Sequence, residues 1–474
     1  MNEFLLSLLL TGALSTGPTL PFWMTANQFG LMPEHSGALA LVQAGTQYDP
    51  AKDFQWKWGA SLAANLDKGP TADFNLMVDE LYASLKWRAL SLDLGMRHDP
   101  LDFYGAAATL GSLSTTGGHL IASGNARSMP GYMLRLDPVP VPFTGKHVWL
   151  YGAFGDFKTL DKRYVQGALV HRTQLFVKVS VSRLDFDFGI DHYAIWAGQN
   201  PKADMPVTFE NYLRVITGRS ASTAGSPNDR YNVIGDQGGG EVFRLSWQGD
   251  GWRTILQHDI PYSDGSGMCF LNFPDGVNTL GFSFDRKNRW VSDVVYEFIY
   301  TRNQSGWSHE RPSLDHIQPG GGDNYFNNEE YRSGWTHFGH TIGLPLFVPK
   351  GTHAGTWTGQ NIVPGIEDNR IRAHHIGLSG NLFRHFPYKL MLTFSQNYGL
   401  YKKPYLGESP WNKEPGTVVE IPLRQVSGAF VGEVPVLLYN SHGFSISYGI
   451  FADRGQLLPD QFGFSLGVRY EFGR

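Results

Sequence analysis

The last segment of the chain alternates strictly between apolar residues and small or charged residues. The apolar set is Phe462, Phe464, Leu466, Val468, Tyr470 and Phe472. The interleaved set is Gly463, Ser465, Gly467, Arg469 and Glu471. Because successive side chains of a β-strand point to opposite faces, this segment predicts a strand with one wholly apolar face.

The same alternation recurs along the chain, at 54–62, 81–96, 184–191, 376–382, 390–395 and 444–450. A soluble β-sandwich would turn the apolar face inward, whereas a membrane barrel turns it outward to lipid. Segments of about 9–11 residues suit a tilted spanning strand, and only a closed barrel leaves no unpaired edge in lipid. The sequence therefore predicts an all-β fold, a transmembrane antiparallel β-barrel of the bacterial outer membrane.

The composition agrees with a strand-rich and turn-rich chain. Charged residues make up 17% of the 474 residues, and 56 residues are glycine, whereas average soluble domains carry roughly 25% charged residues. The formal net charge of -4 gives no basic footprint for nucleic acid. With Cys269 as the single cysteine, no disulfide can form within the chain.

The N-terminal region contains the longest apolar run, Phe4 to Leu10. It is far shorter than the roughly 20 residues that a spanning helix needs. Residues 1–15 are interpreted as a truncated signal peptide, a misplaced start or the first strand, with a truncated signal running into the first strand preferred. A full signal would need a basic start, and the first basic residue is Lys52. Residues 16–474 are predicted to form a single barrel domain.

Loop lengths suggest which end of each strand faces outside. Outer-membrane barrels have short periplasmic turns and longer outer loops, so Lys350–Arg370 and Gly399–Thr417 are predicted to be outer loops. The Ser305–Ser333 stretch either contains a further strand or folds into the lumen. Pro206–Arg219 predicts a short helix at a barrel mouth or in the lumen.

Motifs for catalysis are weak. Gly463–Gly467 matches GxSxG, but it lies inside an alternating strand rather than at the strand–turn–helix elbow that a hydrolase needs. HExxH, P-loop and GxGxxG patterns do not occur. One predicted strand face carries Asp185, Asp187 and Asp191 together with Arg183. Carboxylates can bind calcium, but ion pairing and solvation are the favoured roles of these aspartates. No catalytic residue, metal or cofactor is expected.

A series of short sequence words spans nearly the whole chain in order. The words are LPFW from Leu20, SGNARSMPG from Ser123, LVHRTQLFVKV from Leu169, GIDHYAIWAGQNP from Gly189, YEFIYTRNQSG ending at Gly306, DNYFNNEEYRSGWTHFGHTIGLPLF from Asp323, and NRIRAHHIGLSG from Asn369. Together they resemble the Wzi-type capsule-assembly outer-membrane proteins, in particular the branch common in Bacteroidetes-like bacteria.

The resemblance implies a barrel of about 18 strands (range roughly 16–18) with short helical elements on the periplasmic side. It also implies a non-catalytic, lectin-like protein that binds capsular or other surface polysaccharide and retains it on the cell. The expected partners are that polysaccharide, outer-membrane lipid and, during biogenesis, the barrel-assembly machinery, but no nucleic acid. A porin or substrate-specific channel is the alternative function, and an outer-membrane hydrolase is a minor one.

Candidate glycan-binding residues combine aromatic rings, which meet sugar C–H groups, with amides and carboxylates that bond hydroxyls. The presumed outer loops offer Trp357, Gln360, Tyr401, Tyr405, Glu408 and Trp411. The segment after residue 322 offers Asp323, Tyr325, Asn327 and Trp335. The competing interpretation is an aromatic girdle for the first set and lumen packing or turn formation for the second.

Overall fold

The computed structural model describes residues 4–49, 51–70, 72–98, 108–117, 119–201, 205–221, 226, 229–230, 233–263, 267, 270–287, 289–307, 322–349, 365–414, 416–439 and 442–472. The barrel strands are β1 (Phe4–Ser15), β2 (Gly37–Thr46), β3 (Phe54–Asp67), β4 (Asp73–Trp87), β5 (Leu90–Met96), β6 (Pro130–Pro140), β7 (Val148–Lys158), β8 (Leu169–Val181), β9 (Leu184–Trp196), β10 (Asp236–Gln248), β11 (Trp252–Tyr262), β12 (Gly276–Phe284), β13 (Asp293–Tyr300), β18 (Ile371–Leu382), β19 (Phe386–Asn397), β22 (Leu423–Tyr439), β23 (His442–Gly455) and β24 (Gln461–Phe472).

Six short strands form three separate pairs that are not part of the barrel wall. They are β14 (Thr336–His337) with β15 (His340–Thr341), β16 (Val348–Pro349) with β17 (Ile366–Asp368), and β20 (Leu406–Gly407) with β21 (Glu420–Ile421). The helices are α1 (Phe22–Thr25), α2 (Ala108–Gly111) and α3 (Phe209–Ile216). Among the described residues, no helix has the length and apolar character that a membrane crossing requires.

The 18 long strands form one closed antiparallel sheet. Each strand pairs with its neighbours in chain order, and β1 closes the ring by pairing with both β2 and β24. Leu10 lies opposite Ala40 of β2 and Val468 of β24. Closure leaves no strand edge unpaired, which is the condition for β-structure in hydrocarbon. The barrel predicted from the alternation is thereby confirmed.

The outer face of the wall is apolar, as the alternation predicts. The side chains of Phe464, Ile450 and Leu466 are 50%, 51% and 66% exposed. The interleaved positions face inward, where Asp93, Asp191, Asp259, Glu297 and Thr393 are buried. An apolar exterior around a polar interior is the pattern of a membrane barrel and the reverse of a soluble one.

The two ends of the barrel differ in the length of their connections. At one end, which we call the short-turn end, two-residue turns such as Arg88–Ala89 and Ser182–Arg183 join the strands. The first residues of β1 and the last residues of β24 also lie at this end. At the other, the long-loop end, the five longest connections cover 16–36, 97–129, 197–235, 301–370 and 398–422, and the shorter ones cover 68–72, 159–168, 263–275 and 456–460. All three helices belong to these long connections, whereas the resemblance implies helices on the periplasmic side.

The connection that carries α1 folds into the lumen, where the Nε1–H of Trp23 donates to the inward-facing Thr393 at 3.2 Å. Two more of the long connections also fold into the lumen. In the first, α2 reaches deep into the barrel, where Leu110 and Leu113 pack against Ile255 and Val295 of the wall. In the second, residues 322–349 build a buried cluster with the wall that includes Trp335 and Phe347. For the described part of Ser305–Ser333, the lumen alternative is therefore the correct one.

The third helix caps the rim from outside the lumen. Thr208 is the N-cap of α3, and its side-chain oxygen accepts a hydrogen bond from the backbone N–H of Asn211 at 3.2 Å. Val215 of this helix packs with Ala194 and Trp196. Ala194 and Trp196 lie an even number of residues from the exposed Phe186, so they point to the same side of β9. The helix α3 therefore lies on the outward face of β9. The helix predicted for Pro206–Arg219 is thus present, and it lies at a barrel mouth.

Candidate functional site

The ten candidate glycan-binding residues separate into three groups. Trp357 and Gln360 lie outside the described residues. Asp323, Tyr325, Asn327 and Trp335 belong to the lumen segment, defined here as residues 322–349. Tyr401, Tyr405, Glu408 and Trp411 belong to the rim loop, defined as residues 398–422 at the long-loop end.

Trp335 is the central packing residue of the lumen segment. Its side chain is 0% exposed, its indole ring stacks on Tyr193 with a centroid distance of 3.8 Å, and its Nε1–H donates to the carbonyl of Ile121 at 2.7 Å. The ring and its one polar atom are both satisfied by protein partners. In this structure Trp335 presents no surface to a ligand.

Asp323, Tyr325 and Asn327 also bond to protein groups. The Tyr325 hydroxyl donates to Asp275 at 2.8 Å, and Asp323 accepts from the amide of Asn272 at 2.8 Å. Asn327 donates to the carbonyl of Ile366 at 3.1 Å and accepts from its N–H at 2.8 Å. These contacts attach the lumen segment to the loops around it, as lumen packing and turn formation would require.

The rim loop places two aromatic rings side by side at the surface. Tyr401 and Trp411 are half-buried, with ring centroids 5.9 Å apart and an interplanar angle of 60°. The Tyr401 hydroxyl donates to the carbonyls of Arg302 and Asn303, both at 2.9 Å, and Ser409 donates to the Tyr401 carbonyl at 2.6 Å. Tyr401 is therefore held in place, and it gives Trp411 a fixed neighbour.

A charged group lies against the ring of Tyr401. Glu420 accepts from Arg370 at 2.5 Å and from Arg302. The guanidinium carbon of Arg370 lies 3.7 Å from the Tyr401 ring centre, and that of Arg302 lies 3.9 Å from the Tyr398 ring centre. Guanidinium groups are attracted to aromatic ring faces at such distances. We call Tyr398, Tyr401, Trp411, Arg302, Arg370 and Glu420 the rim platform.

Burial and charge act in opposite directions on the titrating groups of the platform. Burial favours the neutral form of Glu420, but the hydrogen bond and positive charge of Arg370, followed by Arg302, outweigh it and lower the pKa of Glu420. Burial raises the pKa of the Tyr401 hydroxyl to about 12. At neutral pH the platform thus holds an ionised carboxylate between two guanidinium groups and a neutral phenol beside them.

The other two candidates of the rim loop differ in exposure. Tyr405 packs against the apolar group formed by Val348, Leu423 and Leu457. Glu408 is exposed and pairs with Lys413 at 2.8 Å. Of the four predicted residues of this loop, the structure thus joins Tyr401 and Trp411 in one group, with Glu408 beside them on the same loop.

Sequence reasoning missed Tyr398, Arg302, Arg370 and Glu420. Arg302 and Arg370 lie just outside the adjacent ends of β13 and β18, which pair through Tyr300 and Arg372. Both arginines stood inside the sequence words that carried the family resemblance, TRNQSG and NRIRAHH. The signal that could have revealed the two arginines is a basic residue at the same end of two neighbouring strands. Using this signal requires knowing that β18 lies next to β13 in the sheet.

The hydrolase alternative requires a catalytic pair at the outer rim. A His–Asp pair does occur at the long-loop end: His171 Nδ1 lies 2.9 Å from Asp156, and its Nε2 lies 2.6 Å from Thr173 Oγ1. His171 is fully buried, and the Tyr212 hydroxyl of α3 covers Asp156 at 2.5 Å. The described residues contain no group of three or more metal-ligating side chains. This pair ties α3 to the outer wall.

Neither a protein-family model nor a curated protein matches the sequence. Among solved structures, the chain is similar to Wzi of Escherichia coli, an outer-membrane, carbohydrate-binding β-barrel involved in group 1 capsule assembly. The TM-score is 0.50 at 13% identity, over 100% of this chain and 85% of Wzi. At this identity the similarity shows a shared fold.

Two further solved structures from Pseudomonas aeruginosa, OccK5 and the outer-membrane protein OprD, are also similar to this chain. OccK5 gives a TM-score of 0.47 at 9% identity, over 99% of this chain and 98% of its own. OprD gives 0.43 at 9% identity, over 100% and 94%. The closed ring of 18 strands, the apolar outer wall and the fold shared with Wzi establish that this chain is a β-barrel of the bacterial outer membrane.

Proposed function

We propose that this barrel binds a surface polysaccharide through its rim platform and retains it at the cell surface, without catalysing a reaction. The observation that carries the proposal is the pair of half-exposed rings, Tyr401 and Trp411, of which Tyr401 lies against the Arg302–Glu420–Arg370 group. Because short turns face the periplasm in such barrels, the long-loop end faces outward, where a polysaccharide would lie.

The chemistry of the platform suits a sugar polymer. Aromatic faces take the C–H faces of sugar rings, while carboxylates and guanidinium groups bond hydroxyls, and the platform offers both at one surface. The E. coli Wzi barrel, which shares the fold, is described as carbohydrate-binding. The family resemblance of the sequence words supports the same class of ligand.

The Trp411→Ala variant should bind purified host polysaccharide roughly tenfold more weakly, because removal of an exposed aromatic anchor costs about 1–2 kcal/mol. Trp290→Ala is the matched control, since Trp290 is 58% exposed at the short-turn end of the barrel. Binding is measured by biolayer interferometry on detergent-purified protein, with heat-modifiable gel mobility as the test of barrel folding. Equal affinities for the two folded variants would contradict a site at the rim.

In cells, deletion of the gene should release polysaccharide into the medium while its synthesis continues. Re-expression of the Trp290→Ala variant should restore retention, whereas a Tyr401→Ala/Trp411→Ala double variant should not. Cell-bound and released polysaccharide are measured after centrifugation. Retention that is unchanged in the deletion strain would contradict the proposal and favour the channel alternative.

A further inference from the structure

A cavity lies in the lumen between the wall strands β5 to β8 and the segment 122–129. It is far from the rim platform in sequence and is built from different elements. Its wall side includes residues at the long-loop ends of β5, β6 and β7. It therefore lies in the half of the lumen that opens toward the cell exterior.

Four arginines line this cavity: Arg97, Arg127, Arg135 and Arg172. Among the described lining residues, Asp93 is the one carboxylate. Asp93 Oδ2 lies 2.5 Å from Arg97 and 3.5 Å from Arg135, so one carboxylate serves two guanidinium groups. Arg172 pairs at 3.1 Å with Asp191, which does not line the cavity. The lining thus carries more positive than negative charge.

Arg127 differs from the other three arginines, which each form an ion pair with Asp93 or Asp191. The carboxylate whose charge acts on Arg127 is that of Asp79, which already bonds to His98. Within the described part of the chain Arg127 forms no ion pair, and its Nε–H is buried without a hydrogen-bond acceptor. Its guanidinium donates a long hydrogen bond of 3.4 Å to the carbonyl of Val78, and its guanidinium carbon lies 4.0 Å from the Phe338 ring centre. A half-buried guanidinium group with an unused donor is stabilised strongly by an incoming carboxylate or phosphate.

The remaining lining combines an apolar part with the polar side chains of His98, Ser123, Ser128 and Tyr132. Phe29 stacks on His98 at a centroid distance of 3.7 Å, and Phe157 and Met133 face the same space. A ligand that fits must therefore combine an anionic group with an apolar face. A sugar acid has this combination, because its carboxylate projects from a ring whose C–H faces are apolar.

We propose that this cavity is a second binding site, specific for a carboxylate-bearing sugar unit, with Arg127 as the principal carboxylate ligand. Arg97 and Arg135 contribute a positive field, held in position by Asp93. The site extends beyond the function proposed for the rim, and it does not depend on it, since no residue is shared between the two.

The test uses detergent-purified full-length protein and D-glucuronate as the probe, with D-glucose and inorganic phosphate as comparison ligands. Binding is followed by saturation-transfer NMR and by isothermal titration. D-glucuronate should bind in preference to both comparison ligands, and Arg127→Met should weaken its binding at least tenfold. Arg127→Lys, which keeps the charge but loses the planar donor pair, should be intermediate.

Several outcomes would overturn the proposal. Equal binding of glucose would remove the need for the carboxylate, and equal or tighter binding of phosphate would replace the sugar acid with a general anion. Unchanged glucuronate binding in a folded Arg127→Met variant, checked by gel mobility and repeated with Arg97→Met, would place the ligand elsewhere. Trp411→Ala should leave glucuronate binding unchanged, so the two sites fail independently.

Discussion

The Trp335→Ala variant should release the lumen segment while the barrel wall remains folded. The substitution removes a fully buried indole, its stacking on Tyr193 at 3.8 Å and its hydrogen bond to Ile121 at 2.7 Å. Such truncations cost about 3–5 kcal/mol. The wall is held by backbone hydrogen bonds between strands, and no barrel strand contains Trp335. The loss should therefore fall on the docking of residues 322–349.

Hydrogen exchange measured by mass spectrometry gives the direct readout. Peptides from 322–349 should exchange faster by about two orders of magnitude or more, because 3–5 kcal/mol of docking free energy is lost. Trp335→Phe keeps a ring but loses the indole N–H donor, and should cost less, about 1–3 kcal/mol. Unchanged exchange in this segment after Trp335→Ala would show that the segment is held by other contacts.

The same variant separates the proposed retention role from the channel alternative. In the wild-type barrel, described residues of three connections occupy the interior, namely those around α1, around α2 and in the lumen segment. Planar bilayers with the wild-type protein should therefore stay silent, and Trp335→Ala should give intermittent conductance. Stable conductance of the wild-type protein would favour the channel.

The wall of the barrel could be predicted from the sequence because the information is local. Whether Phe464 or Ser465 faces lipid depends only on strand parity, and the apolar set is complete in β24. The same parity argument places His374 and His375 on opposite faces, and His375 is buried while His374 is not. Strand ends were less well defined, since β23 continues to Gly455 although the alternation in this part of the sequence ends at residue 450.

The contents of the lumen could not be predicted in this way. Trp335 and Ile121 are 214 positions apart, and the segments that carry them have no periodicity that would reveal their partner. The rim platform has the same property, because Arg302 and Glu420 are 118 positions apart. Composition suggested Tyr401 and Trp411 as binding residues, but the charges against Tyr401 depend on which strands are neighbours in the closed sheet.

Two buried carboxyl groups should make the long-loop end sensitive to pH. Asp275 accepts from the N–H groups of Asn303 and Gln304 at 2.8 and 2.7 Å and from the hydroxyl of Tyr325. Asp368 accepts from Asn397 at 2.6 Å and from the N–H of Gly399 at 2.9 Å. Both are 0% exposed, and burial raises their pKa values to about 7 and about 8.

The sign of the effect follows from linkage. With a pKa near 3.9 when the loops are undocked and near 7 when they are docked, Asp275 binds its proton more tightly in the docked state. Its contribution is complete below about pH 4 and is lost progressively as the pH rises to 7, and for Asp368 the loss continues to pH 8. Between pH 5 and pH 7 each group should weaken docking by roughly 2–3 kcal/mol.

Hydrogen exchange, corrected for the intrinsic pH dependence of the amide rates, should show peptides 301–307 and 322–349 loosening between pH 5 and pH 8. Asp275→Asn and Asp368→Asn each remove one titrating group and should flatten this dependence stepwise. Asp250→Asn is the matched control, because the Asp250 side chain is 87% exposed at the short-turn end. A double variant that keeps the full pH dependence of the wild type would assign the titration to other groups. Loss of the dependence would identify these two carboxyl groups as the ones whose ionisation opposes docking of the lumen segment.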